Sequence, residues 1–221
     1  MPNSLVNPAV STVLDRLFAA ADASDEAGLA EISAQHGARL ATVTPEERSE
    51  LFGSLYIPVS PDTGRLLYSL IRTGRPQTVV EFGTSFGIGT IHLAAAVRDN
   101  GSGRVITTEL NLAKAERARE NLAEAGLADV VDLVTGDALQ TLAAVEQPIG
   151  FALLDGWKEL YLDMLQVIEP RLVPGAMVAA DDTESFATVL AGYLSYVRDD
   201  ANGYVSVPFP HGDGVELSCR A

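Results

Sequence analysis

The chain has 221 residues, a net charge of −15 and 47% hydrophobic residues, which suits one soluble globular domain with a sizeable core. A protein this acidic repels phosphate backbones and anionic lipid headgroups, so its charge argues against nucleic acid and membranes as partners. The single cysteine, Cys219, leaves no intrachain disulfide, and no targeting segment or apolar run of about 20 residues stands out. We therefore expect a cytoplasmic protein.

The first 58 residues have a helical pattern without strands. Val10, Val13, Leu14, Leu17 and Phe18 recur at helical spacing. Two more helices are predicted over 25–34 and 45–52, and the second of these has Thr44 as its cap and Pro45 at its first position. We interpret residues 1–58 as a helical N-terminal cap or lid, and residues 59–221 as the core of one structural domain.

From residue 60 onward, helices alternate with short strands. A helix opens at Ser60-Pro61 and ends at Gly74. Further helices are predicted over 90–97, 112–125 and 157–168, and strands over 78–82, 104–108, 130–134, 151–154, 177–180, 204–208 and 215–219. The alternation predicts an α/β fold, a Rossmann-like doubly wound and mostly parallel seven-stranded sheet, with an antiparallel C-terminal hairpin and helices on both faces.

A glycine turn follows the first predicted strand. Gly83, Gly87 and Gly89 stand between this strand and a helix, where glycine lets the backbone approach a ligand closely and adopt positive φ. Their spacing, G-x-x-x-G-x-G, differs from the G-x-G-x-x-G of NAD and FAD sites. Glu81 ends the first strand and Glu109 the next, about 20 residues past the turn, where a carboxylate can accept both hydroxyls of a ribose. The turn alone is also compatible with packing, but its combination with the two acids favours a cofactor.

Two later segments end strands with acids. Asp155 follows one predicted strand, with Lys158 three residues later, and Asp181 and Asp182 end the next strand. Because ligands bind outside the carboxyl ends of parallel strands, which lie about 4.8 Å apart, we expect these acids to converge. Three carboxylates repel one another without a counter-ion, and oxygen ligands alone suit Mg²⁺, with Mn²⁺ and Ca²⁺ as alternatives. Outside this pattern, Asp181 and Asp182 would be ordinary turn residues.

The motif D-x-W-K-x-x-Y followed by A-D-D resembles the metal-dependent O-methyltransferases, the catechol and caffeoyl-CoA O-methyltransferases among them. The glycine turn resembles the first motif of class I S-adenosylmethionine-dependent methyltransferases. The resemblance runs from about Val59 to the C-terminus. It implies methyl transfer from S-adenosylmethionine to a hydroxyl of a small catechol-like or vicinal-diol acceptor held on a divalent metal. The family is often dimeric, so it also implies a homodimer.

The resemblance assigns roles by position. Asp155, Asp181 and Asp182 would bind the metal, and Lys158 would be the general base beside Asp155. Acceptor contacts would come from Lys158, Asp182, Tyr56 and Glu216. Cofactor contacts would come from Val59, Ser60, Glu81, Gly83, Ser85, Gly87, Gly89, Glu109, Leu110, Asp137, Ala138, Asp155 and Trp157. From the residues alone, Asp137 also fits a helix N-cap, Tyr56 core packing, Glu216 an exposed strand acid and His92 a packed helix position.

Three positions depart from the family pattern. Asp182 stands where asparagine is common, Gly156 where the best-known branch has histidine, and Gly89 where a serine often binds the cofactor carboxylate. None removes a group that the chemistry requires. Three alternatives remain: a metal-independent methyltransferase acting on nitrogen or carbon, a dinucleotide-dependent oxidoreductase, and a non-catalytic binding protein. The glycine spacing argues against the second, and the acid–lysine set against the third.

Overall fold

A long helix opens the chain. In this computed structural model, which describes residues 3–37, 39–40 and 42–221, helix α1 spans Pro8–His36 after a short 3₁₀ turn, Ser4–Val6. The Asn7 side chain caps α1 by accepting from the N–H of Ala9 at 3.0 Å. The sequence predicted two helices here, and this was wrong. Residues 19–24 are mostly alanine and contain no breaker, so the helix continues through them.

Two further helices precede the sheet. Helix α2 spans Pro45–Leu51 and opens with a capping box. Thr44 Oγ1 accepts from Glu47 N at 3.2 Å, and Thr44 N donates to the Glu47 carboxylate at 3.1 Å. Helix α3 spans Pro61–Gly74, and the Ser60 hydroxyl caps it by accepting from Thr63 N at 3.0 Å. Both helices start where the sequence predicted.

The sheet has seven strands in the order β3-β2-β1-β4-β5-β7-β6. All neighbouring strands are parallel except β7, which runs antiparallel to β5 and β6. The bounds are β1 Thr78–Phe82, β2 Arg104–Glu109, β3 Val131–Thr135, β4 Ile149–Leu154, β5 Leu172–Asp181, β6 Tyr204–Phe209 and β7 Val215–Arg220. The predicted Rossmann-like sheet with its antiparallel C-terminal strand is confirmed.

Helices connect the strands on both faces. They are α4 Ile88–Asn100, α5 Leu112–Glu124, α6 Ala138–Thr141, α7 Tyr161–Ile168 and α8 Ala191–Val197. The helix predicted over 157–168 begins as a separate 3₁₀ turn, Lys158–Leu160. The sequence prediction missed α8, although Leu190, Leu194 and Val197 mark a buried face at helical spacing.

Alternate residues of β1 belong to two hydrophobic cores. Val79 packs with α1, α3 and α4 on one face, and Val80 with α7 and α8 on the other. All five residues of β1 are buried, as expected for a central strand covered on both sides. The rigid centre of the sheet therefore fixes the carboxyl ends of β1, β4 and β5. No helix in the described part of the chain is long and apolar enough to span a membrane.

Candidate active site

The carboxyl ends of three neighbouring strands are in register. Phe82 of β1 pairs with Leu154 of β4, which pairs with Ala180 of β5. Asp155 and Asp181 are the next residues along their strands, and Asp155 N donates to the carbonyl oxygen of Phe82 at 2.9 Å. The predicted convergence of these acids at one edge therefore follows directly from the parallel topology.

Lys158 lies among these acids. Its Nζ is 2.7 Å from Asp182 Oδ2 and 3.4 Å from Asp155 Oδ1. It also donates to the Tyr161 hydroxyl at 2.8 Å, and that hydroxyl donates to the carbonyl oxygen of Asp181 at 3.3 Å. The side chains of Asp155 and Lys158 are only 14% and 13% exposed. The structure thus brings the predicted base and acids into one largely dry cluster.

Burial controls the protonation of this cluster. It raises the pKa of Asp155 well above the usual range, Lys158 opposes that rise, and Asp181 and Asp182 add to it. Burial, with the Asp182 charge, raises the pKa of Asp181 to about 7. Burial also disfavours the Lys158 ammonium, but the nearby Tyr161, Asp155 and Asp182 outweigh it and raise the pKa of Lys158 well above its usual value. Lys158 is therefore a cation that compensates these acids.

The donor set fits a hard divalent cation, because Asp155, Asp181 and Asp182 offer only carboxylate oxygens. Within residues 3–37, 39–40 and 42–221, however, no three Asp, Glu, His or Cys side chains form a ready ligand cluster. Lys158 contacts Asp155 and Asp182 instead. A cation could bind these acids only if the lysine ammonium gave up its contact with Asp182.

Asp182 adopts a left-handed backbone conformation, with φ of 65°. Such residues cost free energy and persist where the surrounding structure holds them, often at functional sites. Asparagine and aspartate tolerate this region better than most residues. The backbone therefore explains why the family's asparagine and the aspartate of this chain are alternatives at one position.

The glycine turn packs directly against the end of β4. Gly83 has φ of 101°, and a Cβ there would lie 2.6 Å from the carbonyl oxygen of Asp155. Gly87, with φ of 92°, is the residue before α4. Glycine is required at position 83 because it lets the glycine turn and the acid cluster approach each other.

Glu109, at the end of β2, orients the turn. One carboxylate oxygen accepts from Ser85 N and the other from Asn111 N, each at 2.8 Å. Each oxygen keeps a second lone pair, and the residue is only partly buried. Two acceptor positions therefore remain, as many as the hydroxyls of a ribose. Leu110, also partly buried, follows it in the chain.

Glu81 lies behind the turn rather than in it. It is 1% exposed, and its Oε2 accepts from the hydroxyls of Thr90 and Thr107, each at 2.5 Å. Its Oε1 has no partner, and a Cβ on Gly89 would lie 2.7 Å from that atom. A serine at position 89 would therefore collide with Glu81, which explains that departure from the family. Glu81 supports the turn, a correction to its predicted contact with the cofactor.

Burial raises the pKa of Glu81 to about 7 from an ordinary value of 4.5, against the two threonine hydrogen bonds. Between these values the folded protein binds one more proton than the unfolded chain, so its stability falls as the pH rises. We expect Glu81→Gln to flatten this fall. Urea unfolding of both proteins at several pH values between about 5 and 8 tests this, with Glu124→Gln at an exposed acid as the control. Parallel curves for Glu81→Gln and the parent protein would contradict it.

Gly156 leaves room for an aromatic ring. A Cβ at this position would overlap the ring of Phe82, which packs edge-on against Tyr161 with centroids 6.3 Å apart. The histidine found here in the best-known branch of the family does not fit beside Phe82. Phe82 therefore occupies the space that the missing side chain leaves.

Trp157 is covered by the N-terminal region. The Phe52 ring packs edge-on against the Trp157 ring, with ring centroids 5.5 Å apart. The Arg48 guanidinium lies 5.2 Å from the Trp157 ring centre. Arg48 also forms an ion pair with Glu159. Helix α2 therefore docks on the loop that carries Asp155 and Lys158.

The other predicted cofactor residues lie at the starts of α3 and α6. Val59 is 1% exposed, and Ser60 caps α3. Asp137 accepts from Leu139 N at 2.9 Å as the N-cap of α6, which is its alternative interpretation, and Ala138 is buried beside it. The Tyr56 ring stacks on Phe86 with centroids 4.2 Å apart, and it packs, partly buried, against the core, in agreement with its core-packing alternative.

Glu216 is not available to an acceptor. It is fully buried, and its oxygens accept from Arg198 Nε at 2.9 Å and Nη2 at 2.7 Å. The Ser206 hydroxyl donates to the same carboxylate at 2.7 Å. Because protein donors satisfy both oxygens, the predicted acceptor role of Glu216 is corrected to a structural one.

Sequence reasoning missed two residues near the cluster. Phe186 is 45% exposed, and Lys158 Nζ lies 6.0 Å from its ring centre. Asp213 accepts from Ser185 Oγ at 2.6 Å, and its charge contributes to the raised pKa of Asp181. An aromatic residue in the loop after β5 was the available signal for Phe186. His92, by contrast, is packed as expected: its Nδ1 lies 2.9 Å from the carbonyl oxygen of Ile88.

Part of this chain is similar to known proteins. Residues 80–183 match a protein-family model described as a methyltransferase domain. "Probable O-methyltransferase Rv1703c" of Mycobacterium tuberculosis is 36% identical over 140 residues, 58% of this chain and 59% of that protein. The catechol O-methyltransferase of Niastella koreensis is 32% identical over 130 residues, 57% of this chain and 58% of that protein. The match therefore spans less than two thirds of the length of these relatives.

The solved O-methyltransferase from Bacillus cereus in complex with SAH superposes with a TM-score of 0.67 at 20% identity, covering 86% of this chain and 97% of that one. At that identity the likeness shows the fold. Residues 80–183, which lie on the Rossmann-like sheet, are similar to a methyltransferase domain. The relatives to which this domain is similar are named as O-methyltransferases.

Proposed function

We propose that this protein is an S-adenosylmethionine-dependent O-methyltransferase that acts on a hydroxyl of a small catechol-like or vicinal-diol acceptor. The observation that carries this proposal is the contact of Lys158 with Asp155 and Asp182 at the edge where the glycine turn meets β4. Lys158 would supply a base for methyl transfer to oxygen, and the acids would supply ligands for a metal beside the glycine turn. The names of the relatives support the same reaction.

The cofactor would lie across the turn at Gly83 and Gly87, with its ribose hydroxyls on the two free acceptor positions of Glu109. Its methionine part would lie near Ser60, and its adenine between Trp157 and the start of α6. The backbone amides at the start of α4 have no side-chain cap, so they remain to meet the cofactor carboxylate. That arrangement would replace the serine that Glu81 excludes from position 89.

A divalent cation, Mg²⁺ by ligand chemistry, would be held by Asp155, Asp181 and Asp182. Such an ion lowers the pKa of a bound hydroxyl and fixes two adjacent acceptor oxygens. Its binding would separate Lys158 from Asp182 and free the amine for the acceptor.

In the reaction, the acceptor oxygen would attack the methyl carbon in line with the sulfonium sulfur. The carbon–sulfur bond breaks, S-adenosylhomocysteine leaves, and the hydroxyl proton passes to Lys158 Nζ. Tyr161 orients that amine through its 2.8 Å contact. Lys158 can act as a base only when positive charge from the cofactor and the cation offsets the acids that hold its proton. Phe186, exposed beside Lys158, would flank the acceptor ring.

Two measurements test the proposal. Isothermal titration with S-adenosylhomocysteine should show saturable binding, and methyl transfer to catechol should require Mg²⁺ and stop in excess EDTA. Asp181→Ala should reproduce the effect of EDTA. Failure to bind S-adenosylhomocysteine would refute the proposal as a whole. Binding without transfer to any catechol would refute only the acceptor class.

A metal-independent methyltransferase is the second candidate. It is favoured by the arrangement of Lys158, which already neutralises Asp155 and Asp182 where a cation would otherwise be needed, and by the lack of a ready ligand cluster among the described residues. Methyl transfer that persists in EDTA would select this candidate. The same assay therefore separates the two.

A further inference from the structure

Lys114 is a buried lysine that the reaction outlined above does not use. It stands in the first turn of α5 and is 7% exposed. Its Nζ lies 3.3 Å from Ser85 Oγ and 5.5 Å from the ring centre of Phe86. Lysine is almost never fully buried unless it is paired, so this position calls for a cause.

The charge of Lys114 faces two carboxylates from different parts of the fold. Burial lowers its pKa, whereas Glu109 and Asp25 act in the opposite direction. Glu109 is the acid that ends β2. Asp25 belongs to α1, and its two oxygens accept from Tyr56 N at 3.0 Å and Ile57 N at 2.7 Å. The ammonium therefore lies between the N-terminal cap and the carboxylate expected to hold the cofactor ribose.

Ser85 connects these parts. Its φ is 48°, a left-handed conformation that costs free energy in a residue other than glycine. Three contacts hold it there: Ser85 N donates to Glu109 at 2.8 Å, Ser85 Oγ donates to the carbonyl oxygen of Tyr56 at 2.7 Å, and Lys114 donates to Ser85 Oγ. Lys114 is the only one of these partners that carries a positive charge.

We infer that Lys114 is a positioning residue for the cofactor: its ammonium fixes Ser85, and through Ser85 N it fixes the Glu109 carboxylate that receives the ribose. This inference rests on the proposed binding of S-adenosylmethionine. Loss of the charge should release Ser85 from its strained conformation and let Glu109 turn away. Cofactor affinity then falls, whereas the chemical step at Lys158, at the end of β4, does not change.

Lys114→Met tests this because it removes the ammonium and keeps an unbranched chain of similar volume. We expect the Kd for S-adenosylhomocysteine to rise at least about tenfold, the size of one lost charge-assisted contact. The KM for S-adenosylmethionine should rise in parallel, while kcat at saturating cofactor and the KM for catechol stay within about threefold. Lys114→Arg, which keeps the charge, should restore part of the affinity.

Tyr68→Phe is the matched control. It removes a 2.6 Å hydrogen bond to Asp99 at the far end of α4, so it lowers stability without touching the turn. Its affinity for S-adenosylhomocysteine should equal that of the parent protein. A comparable loss of affinity in this control would overturn the inference, because general destabilisation would then explain the effect.

The outcomes separate the inference from the function on which it rests. If the parent protein does not bind S-adenosylhomocysteine, the proposed function fails and the inference fails with it. If the parent binds and folded Lys114→Met binds equally well, only the inference is overturned. Should Lys114→Met not fold, Ser85→Ala provides the same test, because it removes the hydroxyl through which Lys114 acts. Unchanged affinity in folded Ser85→Ala would likewise overturn the inference.

Discussion

Replacing Lys158 with methionine is expected to lower kcat for methyl transfer by about 10²–10⁴-fold, the usual contribution of general acid–base catalysis. The amine is the only basic group that the structure describes in contact with both Asp155 and Asp182. Its loss should leave S-adenosylhomocysteine binding nearly unchanged, because Glu109 and the glycine turn remain. Single-turnover methyl transfer to catechol and isothermal titration of the same preparation measure the two effects separately.

Two variants control for the charge that Lys158 contributes. Lys158→Arg keeps a cation near the acids, but a guanidinium cannot serve as a base in proteins, so it should be nearly as inactive as the methionine variant. Lys158→Met leaves Asp155 and Asp182 without the cation that they contact, which should lower stability. Adding Asp182→Asn removes one of these acids, so the double variant should recover stability but not activity. A methionine variant that retains more than about a tenth of the parent kcat would contradict the role of Lys158 as the base.

Arg198→Ala is expected to lower the free energy of unfolding by about 3 kcal/mol, the lower end of the range for removing one partner of a buried ion pair. Glu216 is fully buried, so without Arg198 its charge is left uncompensated. The lower end applies because the Arg198 side chain itself is 45% exposed. Urea unfolding monitored by circular dichroism measures the change.

A second substitution and a control define this result. Glu216→Gln in the Arg198→Ala background should recover most of the lost stability, since it removes the stranded charge and keeps an acceptor for Ser206. Arg104→Ala breaks the Arg104–Asp132 pair, whose side chains are 49% and 48% exposed. It should cost less than about 1 kcal/mol. Equal losses for Arg198→Ala and Arg104→Ala would show that Glu216 does not depend on its partner.

The sequence was most informative where local pattern and topology act together. Asp155 and Asp181 each follow a strand, and parallel neighbours must present such residues at one edge. Lys158 is three residues from Asp155, so a single turn brings them together. The glycine turn follows β1 and Glu109 ends β2, so the sequence also predicted that both lie at this edge of the sheet.

What the sequence could not supply were partners from distant elements. Glu216 matched a family position, but its environment depends on Arg198, which arrives from the segment after α8. Glu81 matches a cofactor ligand by its position in the sequence, but the buried hydroxyls of Thr90 and Thr107 donate to its carboxylate and hold it. In both residues a carboxylate was recognised correctly, while its neighbours decided its role.

The same applies to positions defined by the absence of a side chain. The sequence shows that Gly156 lacks the family's histidine, but not that the Phe82 ring fills the space. It shows two helical segments before residue 37, but not that they join into α1. The space available to a side chain is decided by its neighbours in three dimensions. The continuity of a helix is decided by the sum of many small residue propensities.

The docking of α2 on Trp157 has a consequence for the timing of catalysis. Arg48 of α2 lies over the Trp157 ring and forms an ion pair with Glu159. Asn111 Nδ2 donates to the carbonyl oxygen of Ser49, also in α2, at 3.2 Å. A cofactor seated beneath Trp157 would be enclosed by this helix, so spent product could escape only after α2 had lifted. Release of the product would then depend on the frequency of that opening. Because Glu159 is 44% exposed, dissolved salt would weaken the ion pair between Arg48 and Glu159 and so speed the release of the product.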